Sequence, residues 1–256
     1  MHLAAINAGR LLLRVKRRQT AITENENAMI WILFIGTMAL SLWAAARVKS
    51  VYGRYRQLPV RSGLTGAEVA AAILRRKGIR DVEITQGEGM LGDHYDPLHK
   101  RLVLSPDNFH GSTPAALGVA AHECGHAIQH ARAYQPLHWR MAAVGITTFA
   151  GQVVMWLPLV GIFTGLIEPL TGALVLASAW GVIMLFNLVT LPVEFDASRR
   201  AKAVLADFGF IAPGEEALGV KRVLDAAAWT YVAAFVSSLT YFLWHLLPLL
   251  GGRQRD

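Results

Sequence analysis

Hydrophobic and polar positions along the 256-residue chain follow two regimes. In residues 29–46, 141–167, 169–193 and 226–250 apolar residues run without a charge. Each run is near or above the roughly 18–20 residues that cross a hydrocarbon layer. The pattern predicts four transmembrane helices. Glu168 alone separates the second run from the third, and Pro158, Gly161, Gly165, Pro169 and Gly172 cluster around it, as in a tight helical hairpin.

Between these runs the pattern becomes amphipathic. Thr65-Gly-Ala-Glu68 has the spacing of a capping box, with apolar Val69, Ala72, Ile73 and Leu74 behind it and Gly78 closing the helix. "DVEIT" (81–85) and "RLVLS" (101–105) read as short strands of a β-hairpin, joined by the turn-rich "QGEGMLGDHYDPLHK". Ser112-Thr113-Pro114 starts a long helix that should run to about residue 134. A polar segment at 194–225 precedes the last span, and residues 251–256 form a tail. The expected order is helix, two strands, long helix, membrane hairpin, polar helix, last span.

Composition supports the membrane assignment: 54% of residues are hydrophobic, 17% are charged and the mean hydropathy is +0.36. A buried hairpin in a soluble protein is disfavoured, because a 53-residue run with one charge, from 141 to 193, is hard to enclose in a small globule. The net charge of +7 invites a nucleic-acid partner, but the placement of the cations argues for topology instead. Twelve Lys and Arg lie between 47 and 132 and five between 194 and 222, while the hairpin tip at 160–171 has none. The positive-inside rule then puts both basic segments in the cytoplasm and the tip outside. The segment "RVKSVYGRYRQL" (47–58) is expected on anionic headgroups. Residues 1–27 conflict with this scheme, since they carry five cations on the outer side; we expect Met29 to be the start and residues 1–28 an upstream extension. The single cysteine, Cys124, excludes a disulfide framework and a Cys-ligated zinc module.

The chemistry concentrates in "AAHECGHAIQHA" (120–131) on the long helix. His122 and His126, at i and i+4, share one face and can bind one cation. Glu123 lies about 100° around, where its carboxylate reaches water at the metal without ligating. This H-E-x-x-H spacing is that of zinc proteases. About 0.01 chance occurrences are expected from this composition. His130 sits about 12 Å along the axis from His122, too far to join one tetrahedral ion, and is assigned to the surroundings of the site. Cys124 faces the opposite side as a small packing residue.

A catalytic zinc takes a third protein ligand, and Glu194 in "LPVEFDAS" is the best candidate. Two spans separate it from His126, so an even number of crossings returns it to the same membrane face. Asp196 is expected to pair with Arg200 at i+4, and Ser198, on the face of Glu194, to hydrogen-bond a ligand.

"RSGLTGAEVA", "DHYDP", "GVAAHECGHAIQHA" and "LPVEFDASRRA", in this order, resemble the bacterial neutral zinc metallopeptidases of the YugP type, whose site layout is similar to that of HtpX-type peptidases. The resemblance implies a mainly α membrane protein with four transmembrane helices and a small α+β, gluzincin-type catalytic domain at 47–139. It further implies Zn2+ on His122, His126 and Glu194, with Glu123 as general base. The implied location is the bacterial inner membrane with the site facing the cytoplasm, and the implied substrate a membrane-associated polypeptide. One departure concerns Ser198, where HtpX-type sequences carry an aspartate. In such enzymes the strand before the active-site helix receives the peptide, a role that falls to "RLVLS", and His94 or Tyr95 is placed to polarise the scissile carbonyl. Two other readings compete. An intramembrane protease is disfavoured because the helix carrying His122 is too polar for lipid and no Leu-Asp-Gly motif occurs. A zinc-binding scaffold without chemistry would have no use for Glu123.

Overall fold

A computed structural model describes residues 2–88 and 92–251, with side chains for 28–88 and 92–250. The expected extension at residues 1–28 and the tail at 251–256 therefore lie almost wholly outside the described side chains. The chain forms two units, residues 1–42 and 43–256. Helix α1 (His2–Tyr55) supplies the first unit and enters the second, which holds α2 (Gly66–Arg76), β1 (Glu83–Gln86), β2 (His94–Asp96), β3 (Arg101–Leu104), α3 (Pro106–His110), α4 (Pro114–Ala131), α5 (Gln135–Thr164), α6 (Pro169–Asp207) and α7 (Glu215–Gly251). Among the described residues four helical segments are long and apolar enough to cross a membrane: Ala28–Tyr55, Gln135–Thr164, Pro169–Asp207 and Glu215–Leu250.

The local signals act as their chemistry requires. Thr65 and Glu68 form the reciprocal capping box of α2, which stops where Gly78 adopts φ 76°. Thr113 accepts from the Ala116 amide at the head of α4, with Pro114 in the first turn. At the hairpin tip Gly165 ends α5 in the left-handed region, and Glu168 caps α6 by accepting from the Leu170 and Thr171 amides.

Three features differ from the sequence expectation. β1 and β3, expected as a hairpin, pair in parallel, and the hairpin instead joins β3 to β2, formed by the "HYD" that reads as turn. β3 is thus the central strand of the order β1-β3-β2 and has no free edge. The expectation that "RLVLS" receives an added strand is overturned, because both of its hydrogen-bonding sides are already paired. The polar helix after the third span is no separate element: α6 passes through Pro192 and continues unbroken to Asp207.

The core of the second unit lies between α2, the inner face of β3, α4 and the ends of α6 and α7, where Ile73, Leu102, Leu104, Leu117, Cys124, Leu205 and Val220 are buried. α4 is buried on nearly every side, as a helix in the middle of a core must be. Cys124 packs there as expected. α4 meets α6 at unusually short range. A Cβ on Gly125 would stand 2.7 Å from the Ala197 carbonyl oxygen and 3.0 Å from its Cα. At Gly118 a Cβ would meet Val220 at an ordinary 3.6 Å.

Gly125→Ala should therefore cost about 1–3 kcal/mol and lower the thermal unfolding midpoint by roughly 2–10 °C, whereas Gly118→Ala leaves it unchanged or higher. Equal midpoints for the two variants would contradict the close crossing.

Candidate metal centre

The Gly125–Ala197 contact brackets four polar side chains. His122 and His126 flank Gly125 on α4, and Glu194 and Ser198 flank Ala197 on α6, one helical turn apart in each case. His122 Nε2 lies 3.1 Å and His126 Nε2 3.6 Å from Glu194 Oε2. One donor atom from each residue lies within 4.8 Å of the other two. Donors bound at about 2.0–2.1 Å on a tetrahedral zinc stand about 3.3 Å apart, so the observed edges fit such an ion. Glu194 and His126 are buried, and His122 is partly so.

The remaining atoms of these three groups are held by their neighbours. Gln129 Nε2 donates to the Val193 carbonyl (2.8 Å) and to Asp196 Oδ2 (2.9 Å). Its amide orientation is thereby fixed, with Oε1 turned to His126 Nδ1 at 3.0 Å. His126 must donate through Nδ1–H, which leaves the Nε2 lone pair facing Glu194 and His122. His122 Nδ1 lies 3.1 Å from Ser198 Oγ. Arg140 Nη1 donates to Glu194 Oε1 at 2.8 Å, so only Oε2 of that carboxylate faces the imidazoles. Asp196 is buried and binds Arg200 Nε at 2.5 Å, the expected i+4 pair, and also Arg199.

Gln129 and Arg140 escaped the sequence reading. Gln129 sits at i+3 from His126, a polar residue on a helix face that has no solvent to meet. Arg140 is the last charge before the second apolar run, and the crossing parity that brought in Glu194 applies equally to it.

A cleft of about 490 Å3 opens beside these groups, lined by Glu123, His126, Arg140, Glu194 and Tyr231, by residues 93–98 of the β2 segment and by Leu137, Met141 and Val144 of α5. Glu123 faces this cleft although it is largely buried. The edge of β2 that does not pair with β3 belongs to the same segment. Asp93 anchors the head of the segment by accepting from the Ser105 amide (2.7 Å), Ser105 Oγ (3.1 Å) and Asn108 Nδ2 (2.9 Å). Asn108 Oδ1 in turn accepts from Tyr52 Oη at 2.7 Å.

Of the residues assigned to the surroundings, Ser198 lies against His122, and His94 lines the cleft with Nδ1 2.6 Å from the Gly92 carbonyl. Tyr95 and His130 meet each other instead, with Tyr95 Oη 2.9 Å from His130 Nδ1. Burial, with Asp81 and Asp96 nearby, pushes the Tyr95 phenol up to about 12. Burial and the neighbouring His138 hold the His130 imidazole below its ordinary value. His130 stays outside the three-residue group, as its axial distance requires.

Residues 30–250 match the family described as "Putative neutral zinc metallopeptidase". The chain is 41% identical over 224 residues to the Bacillus subtilis (strain 168) protein named "Putative membrane protease YugP", a match that covers 88% of this chain and 98% of the relative. No solved structure matches. With a family match across most of its length and a relative covered almost end to end, the chain belongs to the neutral zinc metallopeptidase family.

Proposed function

We propose that this protein is a membrane-embedded zinc endopeptidase of gluzincin type that cuts membrane or membrane-proximal polypeptides at the cytoplasmic face of the bacterial inner membrane. The observation that carries the reading is the cluster of His122, His126 and Glu194 beside a cleft that His126, Glu194 and Glu123 line. Two imidazoles and one carboxylate suit zinc and leave a fourth position for water or substrate. When bound, zinc supplies a Lewis acid that makes water acidic near neutral pH and polarises a carbonyl. Glu123, facing the cleft beside the three donor groups, would serve as the base that accepts a proton from attacking water and returns it to the leaving amine. Gln129 keeps His126 in the ligating tautomer, Ser198 supports His122, and Arg140 turns Oε2 of Glu194 toward the histidines. Ser198 thus serves where HtpX-type sequences use an aspartate.

The unpaired edge of β2 is the strand to which an extended peptide adds, main chain to main chain. Leu137, Met141 and Val144 repeat at i, i+4 and i+7 along α5 and form an apolar wall for a neighbouring side chain. His94 and Tyr231 line the cleft as donors for the carbonyl oxygen, whereas Tyr95 is engaged with His130.

The intramembrane alternative is disfavoured, because α4 is not among the apolar spans of the described residues and packs in the core with α2 and β3. A scaffold that keeps zinc only for structure is disfavoured by Glu123, a base facing a cleft it would not need.

Glu123→Gln should lower cleavage of a generic protein substrate by the full chain in detergent at least 10²-fold while one zinc per chain remains. Unchanged activity would refute the mechanism. Gln129→Leu should weaken zinc binding about 10–100-fold in competition with a chelator, and His130→Ala should leave it unaltered. A loss with His130→Ala as large as with Gln129→Leu would contradict the ligand set.

A further inference from the structure

Three cations, Arg47, Lys221 and Arg222, line one cleft with the single carboxylate Asp225 where the end of α1 meets the start of α7. The two helices run antiparallel there: Trp43 stands edge-on to Trp229 with ring centroids 5.5 Å apart, and twelve residues further along α1, Tyr55 Oη accepts from Arg222 Nη1 at 3.0 Å. Between these contacts lies a cleft of about 460 Å3 lined by Arg47, Val51, Leu218, Lys221, Arg222 and Asp225. Asp225 is shared between Lys221 (2.6 Å) and Lys202 (3.1 Å). Among the described residues no carboxylate lies within ion-pair distance of Arg47 or Arg222. The Arg47 guanidinium instead lies over the Trp43 ring, 5.6 Å from its centroid, and Arg222 donates to a neutral phenol. The cleft therefore holds more positive charge than the protein itself compensates.

Its height along the helices suggests what supplies the missing charge. Arg47 directly follows the first apolar run, and Lys221 and Arg222 just precede the last, which begins at residue 226. Trp43 and Trp229 lie inside the ends of those runs, where indoles favour the boundary between hydrocarbon and headgroups. Arg47 is about 6 Å further along the helix, at the level of lipid phosphates. Below the cleft both indoles are exposed apolar surface, which suits an acyl chain and offers nothing to a free phosphate ion.

We propose that this cleft binds one anionic phospholipid, its phosphodiester held by Arg47, Lys221 and Arg222 and its acyl chain lying against Trp43 and Trp229. The site shares none of the three metal-binding residues. It rests on the membrane placement proposed above and is independent of the peptidase chemistry.

The test uses the full chain in detergent micelles, titrated with phosphatidylglycerol or phosphatidylcholine, with bound lipids counted by native mass spectrometry. One phosphatidylglycerol should bind at least tenfold more tightly than phosphatidylcholine. Arg47→Gln/Lys221→Gln should weaken it about tenfold to thirtyfold, and the charge-matched Arg75→Gln/Arg80→Gln should not. An equal loss in both double variants, no preference for the anionic lipid, or displacement by equimolar inorganic phosphate would overturn the proposal. Release of the chain from membranes by an alkaline carbonate wash would overturn the placement itself, and with it the site.

Discussion

The missing Cβ at Gly125 is the constraint on which the rest of this structure depends. It lets the backbone of α4 approach that of α6 at Ala197 to a distance that no other residue allows. Only at that distance do the side chains that flank the contact on the two helices converge on a common point. His122 and His126 come from one helix, and Glu194 and Ser198 from the other. A wider crossing would leave the same residues present, with Glu194 too far from the two histidines for the three to hold one ion. The close approach also accounts for the small residues Ala121, Cys124 and Gly125 between and beside the two histidines of α4.

Proximity alone would place like dipoles and a buried carboxylate together at a cost, and a polar network offsets it. Gln129 joins the two helices by donating to the Val193 carbonyl and Asp196 while accepting from His126. Asp196 is balanced by Arg199 and Arg200, and Glu194 by Arg140. Gln129, Asp196 and Glu194 therefore each have partners, as a low-dielectric interior demands. The long hairpin of α5 and α6 delivers both Arg140 and Glu194 to the same end of the helical layer.

The parts of this arrangement that were legible in the sequence are those governed by short-range chemistry. Apolar runs, the Thr65 capping box, the Ser112-Thr113-Pro114 helix start and the i, i+4 histidines each announce themselves within a few residues. Glu194 could be reached across about 70 residues because membrane crossings permit only two faces. The sheet was misread for the opposite reason. Parallel pairing of β1 with β3 is a non-local choice, and three residues of "HYD" carry no alternation long enough to outweigh the flanking Asp and Pro. That error moved the free edge from β2 to β3. The third apolar run ends at 193 and a separate polar helix was expected, yet α6 continues through Pro192 because it packs against α7 on both sides of that position, through Asn187 and through Lys202. Gln129 and Arg140 were invisible because their roles depend on partners brought in by the crossing itself.

The most direct measurement of the central claim is X-ray absorption at the zinc edge on the full-length, zinc-loaded protein. The account predicts two imidazole nitrogens, with the other ligands oxygen, one of which is lost in Glu194→Ala. A third imidazole or any sulfur in the coordination sphere would show that His130 or Cys124 reaches the ion, and would contradict the crossing geometry described here.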